Sequence, residues 1–248
     1  MPLVLSELNP ETLSLPLQRR IIALPDSVTV ALALVLRPLQ LEAGIKRVVV
    51  SSYQSTSGAG RKGMETLSRE VLGLYQRGSL EPDDDAELEQ PLDTSDRLFP
   101  HQIAFNAIPC IGAVLPDGYT HAEWRVMNEC RKLLEAPELA MSMTCVRVPW
   151  FACDGFSINL ETERPLSVDR ARVLLEKAPG IALEDEPSRG EYPMPFPHAG
   201  SDRVYVGRIR RDPSVPSGLN LWAVADNVRR GAALTAVGVL ECLNRGRS

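Results

Sequence analysis

The sequence is short of the residues that build metal centres and disulfide frameworks. Its 248 residues include three histidines and five widely spaced cysteines, and no two cysteines form a CxxC pair. A zinc site needs closely spaced cysteine and histidine ligands, and a disulfide framework needs many cysteines in a small chain. Both are therefore excluded as organising features, and reduced thiols in a cytoplasmic protein fit the pattern better.

Long apolar runs and basic clusters are also missing. The most apolar segment, 28–36, is far too short to span a bilayer, and the N-terminus lacks the basic and apolar regions of a signal peptide. The net charge of −5 arises largely from residues 81–96, which hold eight acids and no base. Without a concentrated basic face, neither nucleic acid nor a membrane is expected as a partner.

The spacing of apolar residues predicts an α+β protein built on one mixed sheet. The predicted strands, of which the first two are short and buried, are 2–5, 20–24, 46–53, 139–148, 155–163, 204–210 and 219–225. The predicted helices are 28–41, buried on every face, and 64–75, 120–134, 167–176 and 227–243. The alternation in 139–148 and 155–163 is typical of neighbouring strands, and the acidic stretch 78–100 is predicted to be a solvated loop.

One charged residue lies on an otherwise apolar strand face. Arg147 shares its side of the strand 139–148 with Met141, Met143 and Cys145. A guanidinium is permanently charged, so it must meet an anion or reach a cleft. From the residues alone, a buried structural ion pair and a binding site for a small anion both stay open.

Gly58, Gly60 and Gly63 spell a literal GxGxxG between a predicted strand and a predicted helix, which is the pattern of a dinucleotide-binding turn. The next acids lie in the loop at 81–85, however, and not at the end of a second strand where one could hold a ribose. Residues 55–57 also make the entry a polar loop instead of a tight turn. We therefore reject the motif as a dinucleotide fingerprint.

Six segments, in order and with matching spacing, resemble one known family. They are KRVVVSSYQSTSGAG (46–60), FPHQIAFNAIP (99–109), TCVRVP (144–149), YPMP (192–195), VYVGRIRRDPS (204–214) and GLNLWAVADNVRRGAA (218–233). Together they are similar to aspartate-semialdehyde dehydrogenase over nearly the whole chain. The resemblance implies a homodimer whose mixed-sheet dimerisation domain carries helices on one face.

The resemblance also implies a division of the chain into three parts. They are a remnant of the NADP-binding domain at 1–26, the dimerisation and catalytic domain at 27–225 with an acidic insertion near 78–98, and a helix at 226–248 that returns to the Rossmann-type nucleotide domain. The glycine-rich βαβ region that binds NADP phosphates in the family would precede Pro2, which argues against NADP binding by this chain. The residues that resemble the family's contacts near the nicotinamide are Ser57, Gly58, Ala59, Gly60 and Asn227.

In the family reaction, a cysteine thiolate attacks the aldehyde of aspartate semialdehyde, hydride passes to NADP, and phosphate releases aspartyl phosphate. The resemblance places Ser27 at the position of the nucleophilic cysteine and Asp154 at the position of the histidine. The family's catalytic glutamine is present as Gln54. Its arginine, which holds the substrate carboxylate, is present as Arg147. Two of the four core catalytic groups are therefore replaced.

The substrate-holding glutamate and lysine of the family become Ala122 and Arg125. A serine hydroxyl is far less acidic than a thiol, and an aspartate with a pKa of about 4 is a weak base for activating it. We therefore predict a non-catalytic, dimeric protein that binds a partner or a small carboxylate or phosphate ligand. The alternatives are an active NADP-dependent semialdehyde dehydrogenase whose chain is incomplete as given, and a hydrolase that uses Ser27 and Asp154.

Overall fold

A six-stranded mixed sheet forms the centre of the molecule. The computed structural model describes residues 1–14, 21–76 and 98–245, so the acidic stretch 81–96 lies outside the described residues. The strand order is β2-β1-β3-β6-β5-β4. The strands are β1 (Ile45–Gln54), β2 (Ala140–Arg147), β3 (Asp154–Thr162), β4 (Ile181–Leu183), β5 (Val204–Arg211) and β6 (Gly218–Ala225). The predicted α+β class is confirmed.

Five α-helices accompany the sheet in the described ranges. They are α1 (Ser27–Ala43), α2 (Gly60–Gln76), α3 (His121–Leu133), α4 (Val168–Glu176) and α5 (Leu234–Arg245). The caps at Thr120 and Ser167 each accept a backbone hydrogen bond in the first helical turn, which fixes where α3 and α4 begin. None of these helices is long and apolar enough to cross a membrane.

Helix α1 occupies the core on one side of the sheet. Every residue from Val28 to Leu36 is buried, and α1 contacts the sheet, α3 and α4. The sheet presents Phe156, Ile158 and Leu160 to this core, while the alternate positions of β3 face away. A helix surrounded in this way needs apolar residues on all its faces, which explains its uninterrupted hydrophobic sequence.

The prediction that 139–148 and 155–163 are neighbouring strands is wrong. β1 lies between them, parallel to β2 and antiparallel to β3, so that Val50 is the register partner of both Met143 and Ile158. Alternation along a strand shows which face is buried but does not identify the pairing partner. The three-residue strand β4 was not predicted, because so short a segment gives no periodic signal.

The two strands predicted near the N-terminus are reduced to one parallel bridge between Leu3 and Ala23. The side chain of Asn9 takes the place of a strand partner for this segment. Its Oδ1 accepts from the Leu5 N–H at 2.8 Å and its Nδ2 donates to the Leu3 carbonyl at 3.0 Å. A side chain that satisfies the backbone locally removes the need for a longer ladder.

The final helix begins differently from the prediction of one continuous helix over 227–243. Asp226 caps it by accepting from the Val228 and Arg229 N–H groups, but Asn227–Ala233 is a π-helix that continues into α5. This segment packs on the start of α1, since a Cβ added to Gly231 would lie 2.4 Å from Ser27 Cβ. π-helical segments are frequent at functional sites, and this one joins two parts of the predicted site.

Helix α2 depends on a glycine where it meets the preceding turn. A Cβ on Gly63 would lie 2.2 Å from the Thr56 carbonyl oxygen, whereas a Cβ on Gly73 in the same helix would meet nothing within 4 Å. We expect Gly63→Ala to lower the free energy of unfolding by about 1–3 kcal/mol, because the backbone must shift. Gly73→Ala, the matched control, should raise it by about 0.5–1 kcal/mol through helix propensity. Urea denaturation of both variants checks this, and equal shifts would contradict it.

Candidate functional site

Two of the predicted site residues end neighbouring parallel strands. Gln54 is the last residue of β1, Arg147 is the last residue of β2, and the two are register partners. Ligands of sheets with parallel strands commonly bind at the carboxyl ends of those strands. Gln54 Nε2 donates to Ser52 Oγ at 3.1 Å, which holds the amide beside the strand end.

The Arg147 guanidinium is buried at this edge. Its Nη1 donates to the Ser55 carbonyl oxygen at 2.6 Å, and none of the ion pairs in the described ranges includes it. Burial lowers the pKa of Arg147, and the charge of Asp154 acts in the opposite direction. A buried structural ion pair, one of the two interpretations open from the sequence, is therefore not what holds this side chain.

The first glycine of the GxGxxG segment makes room for Arg147. A Cβ on Gly58 would lie 2.7 Å from Arg147 Nη1, so a side chain there would displace the guanidinium. Gly63 serves the contact between α2 and Thr56 described above. These two glycines are explained by close packing, without a dinucleotide.

Asp154 opens β3 and is 3% exposed. Its Oδ1 accepts hydrogen bonds from the Ser55 N–H at 2.8 Å and from Ser55 Oγ at 3.1 Å. Burial raises the pKa of Asp154 to about 7, although the two bonds from Ser55 and the charge of Arg147 lower it. The expectation of an ordinary carboxyl pKa near 4 is therefore wrong, because sequence does not show desolvation.

A chain of polar side chains continues from Asp154 into the π-helix. Ser55 Oγ lies 2.8 Å from Ser57 Oγ, and Ser57 Oγ donates to Asn227 Oδ1 at 2.9 Å. Ser55, Ser57 and Asn227 are all buried. The structure thus brings Arg147, Asp154, Ser57 and Asn227 together through Ser55, a residue that the sequence analysis treated only as part of a polar loop.

Ser27 lies at the start of α1, against the π-helix that carries Asn227, and outside the hydrogen bonds of this network. Asp26 caps α1 by accepting from the Val28 N–H at 3.0 Å. None of the hydrogen bonds among the described residues involves Ser27 Oγ. Because Asp154 bonds to Ser55 instead, the structure does not pair Ser27 with Asp154, and the hydrolase interpretation loses its geometric basis.

Arg125, the predicted substrate-binding residue of α3, forms an ion pair with Asp26. The same aspartate donates its N–H to Glu129 Oε2 at 2.8 Å, and Thr29 Oγ1 donates to that oxygen at 2.7 Å. Arg125 is therefore tied to the cap of α1 while more than half of its side chain stays exposed. Asp26 and Glu129 were missed from the sequence, where nothing marks two acids 103 residues apart as neighbours.

The buried cysteines do not offer a replacement nucleophile. Burial raises the pKa of Cys145 to about 11 and that of Cys153 to about 12, and it also raises the pKa of Cys130. Thiols with such pKa values are protonated at neutral pH, and only the thiolate is a strong nucleophile. Packing is therefore the role that the structure supports for these three residues.

The turn Ser57–Gly60 does not offer a cradle for phosphates. Its neighbourhood uses the backbone N–H groups internally: Thr56 donates to Trp150, Ser57 to Phe151, Gly58 to Ser55 and Gly60 to Ser57. Phosphates bind where such N–H groups point outwards unpaired. The N–H groups of Thr56, Ser57, Gly58 and Gly60 are therefore not available to a phosphate at this turn.

Comparison with known proteins identifies the family of this chain. Residues 36–230 match the model described as semialdehyde dehydrogenase, dimerisation domain. The chain is 42% identical to the aspartate-semialdehyde dehydrogenase of Aquifex aeolicus over 98% of its own length and 68% of that protein. It belongs to the aspartate-semialdehyde dehydrogenase family. This confirms the resemblance carried by the six sequence segments.

Solved structures of aspartate-semialdehyde dehydrogenases share the fold. The crystal structure of enzyme II from Vibrio cholerae is 36% identical with a TM-score of 0.87, covering 98% of this chain and 68% of that one, and the same enzyme is known complexed with ASA. The enzyme from Candida albicans with NADP is 22% identical with a TM-score of 0.67, covering 98% and 66%, and supports only the fold. The chain thus spans about two thirds of the length of these relatives.

Proposed function

We propose that this member of the aspartate-semialdehyde dehydrogenase family binds a small carboxylate as a homodimer and does not catalyse the family's reaction. The observation that carries the proposal is the hydrogen bonding of Asp154, whose Oδ1 accepts twice from Ser55. A serine at the nucleophile position needs a base that takes its proton. Among the described residues, no base forms a hydrogen bond with Ser27 Oγ, so none is placed to take its proton.

The replacement of thiol by hydroxyl affects the later step as well. A serine ester is a poorer acceptor for phosphate than a thioester, so the release step slows even where an acyl group forms. Asp154, with a pKa of about 7, could exchange a proton near neutral pH, but its Oδ1 is directed at Ser55. Asp154 makes no hydrogen bond to Ser27, so its raised pKa by itself does not supply the proton acceptor that Ser27 lacks.

Arg147 supports the ligand part of the proposal. Its Nη1 is fixed by the Ser55 carbonyl, while Nε and Nη2 have no hydrogen-bond partner in the described part of the chain. A guanidinium with two free N–H groups on one edge matches a carboxylate or a phosphate in a two-bond arrangement. The V. cholerae relative complexed with ASA supports a ligand related to aspartate.

The homodimer is supported by the matched dimerisation domain and by the sheet face turned away from α1. A groove of about 690 Å³ opens there, lined by aromatic residues, Arg208 and Arg210. The Tyr53 ring lies 5.7 Å from the Trp222 ring and 6.3 Å from the Trp150 ring, measured between centroids. Aromatic and arginine side chains of this kind are enriched in protein interfaces.

The test of the ligand proposal is a calorimetric titration with succinate, a non-reactive dicarboxylate. We expect the wild-type chain to bind succinate and Arg147→Lys to bind it at least about tenfold more weakly, because an ammonium loses the two-bond geometry. Arg61→Lys, an exposed exchange of the same type on α2, is the control and should leave the affinity unchanged. If the folded wild-type chain does not bind succinate, the ligand part of the proposal is wrong.

The non-catalytic part is tested by following NADPH formation from aspartate semialdehyde, NADP and phosphate. We expect no rate above a protein-free control. Turnover at about 1–1000 s⁻¹, the range of ordinary enzymes, would overturn it.

The second candidate is an active dehydrogenase whose chain is incomplete as given. It is favoured by the 42% identity to an enzyme of which the chain spans 68%, and by the Ser57–Asn227 pair beside Asp154. NADPH titration separates the two candidates, because binding by the chain alone would favour this one. Where NADPH binds and the wild-type chain still shows no turnover, the exchanged residues are the cause, and the double variant Ser27→Cys, Asp154→His should gain turnover.

A further inference from the structure

One buried residue contacts both charged groups of the site. Ser55 donates its N–H and Oγ to Asp154 Oδ1, at 2.8 and 3.1 Å, and its carbonyl oxygen accepts from Arg147 Nη1 at 2.6 Å. We propose that Ser55 is a positioning residue that fixes Asp154 and Arg147 relative to each other. The proposal deepens the ligand site proposed above and rests on it for its functional meaning.

The strand order explains why Ser55 can contact both Arg147 and Asp154. Arg147 ends β2 and Asp154 begins β3, and β1 runs between these two strands. Ser55 directly follows the last residue of β1, so its backbone lies between the two charged side chains. Its N–H is directed to Asp154, and its carbonyl oxygen accepts from Arg147.

The three bonds leave defined atoms free. Asp154 Oδ2, Arg147 Nε and Arg147 Nη2 make no hydrogen bond within the described ranges, and none of them is fully enclosed without a partner. These are the atoms that a ligand or water can contact. Ser55 thus fixes the inner atoms of both groups and leaves the outer atoms for binding.

The Ser55 hydroxyl also depends on the charge of Asp154. It has one proton but three neighbours that can accept it: Asp154 Oδ1, Ser57 Oγ at 2.8 Å and Asn227 Oδ1 at 3.2 Å. While Asp154 is ionised, the proton is directed to the carboxylate. A hydrogen bond directed to the carboxylate stabilises the ionised form of Asp154 and so lowers its pKa.

The charged groups that act on Asp154 come from two other elements. Arg147 of β2 lowers the pKa of Asp154, and Asp26 at the start of α1 raises it. Neither is altered by a substitution at Ser55 that keeps the backbone. A change in Asp154 titration on removing the Ser55 hydroxyl therefore reports on that hydroxyl.

The experiment is a ¹³C NMR titration of the Asp154 carboxyl, assigned by the loss of its signal in Asp154→Asn. Ser55→Ala removes the bond to the charged form and should raise the pKa of Asp154 by about one unit. The matched control is Thr56→Val, which removes the neighbouring hydroxyl that donates to the Trp150 carbonyl at 2.9 Å. It should leave the titration within about 0.3 units, since that hydroxyl does not touch Asp154.

An unchanged titration in Ser55→Ala, or an equal shift in Thr56→Val, would overturn the proposal. Should Ser55→Ala fail to fold, Ser55→Cys keeps the shape, donates only weakly, and should shift the pKa in the same direction. A purely structural role would alter the melting temperature without moving this titration. The measurement needs neither ligand nor turnover, so a chain that does not bind succinate would count against the proposed function and leave this result intact.

Discussion

Asp154→Asn is expected to become more stable than the wild-type chain as the pH rises from 4 to 7. The folded-state pKa of Asp154 is about 7, whereas an unfolded aspartate has a pKa of about 3.9. Between these values the folded chain holds a proton that the unfolded chain has lost, so the stability of the wild-type chain falls with rising pH. Above pH 7 both states are ionised and the loss is complete.

The size of this effect follows from the separation of the two pKa values. A difference of about three pKa units corresponds to roughly 4 kcal/mol of stability. Asparagine is neutral at every pH and its Oδ1 can still accept both hydrogen bonds from Ser55. The variant should therefore match the wild-type chain near pH 4 and exceed it by a few kcal/mol at pH 8.

Urea denaturation of both chains between pH 4 and pH 8.5 measures this difference. Other carboxyl groups titrate in both chains and cancel when the two curves are subtracted. Glu138→Gln, an exchange at an exposed position, is the control and should give a curve parallel to the wild-type curve. Parallel curves for Asp154→Asn as well would show that Asp154 keeps an ordinary pKa in the folded protein.

We expect Glu7→Gln to destabilise the protein by about 3 kcal/mol. Arg230 in the π-helix is fully buried, and its Nη2 donates to Glu7 Oε1 at 2.6 Å. Arg230 Nε and Nη1 have no partner among the described residues. Removing the Glu7 charge leaves the buried Arg230 charge without its ion-pair partner, and breaking a buried pair in this way typically costs about 3–5 kcal/mol. The lower end applies because Glu7 is itself 23% exposed.

Two further variants serve as controls for Glu7→Gln. Glu11→Gln removes an exposed carboxylate from the same segment and should change the free energy of unfolding by less than about 0.5 kcal/mol. Replacing both members of the pair, Glu7→Leu with Arg230→Met, removes the buried charge and should recover much of the stability. A single Glu7→Gln variant as stable as Glu11→Gln would mean that Arg230 is solvated in solution.

The elements that follow from local chemistry were predictable from sequence. The apolar run after Asp26 identified α1, the β-branched run identified β1, and apolar residues at helical spacing identified α2. Short segments were less predictable. The strands expected at 2–5 and 20–24 became a single bridge, because Asn9 satisfies that backbone instead.

The sequence by itself determined the family, the longer helices and strands and the identity of the exchanged residues, because these depend on residue type and order. Only the tertiary structure decided which of those residues contact one another and which are buried. It placed β1 between β2 and β3, and so made Ser55 the contact of both Arg147 and Asp154. It also buried Asp154, and desolvation, which depends on all the atoms packed around a group, raised its pKa to about 7.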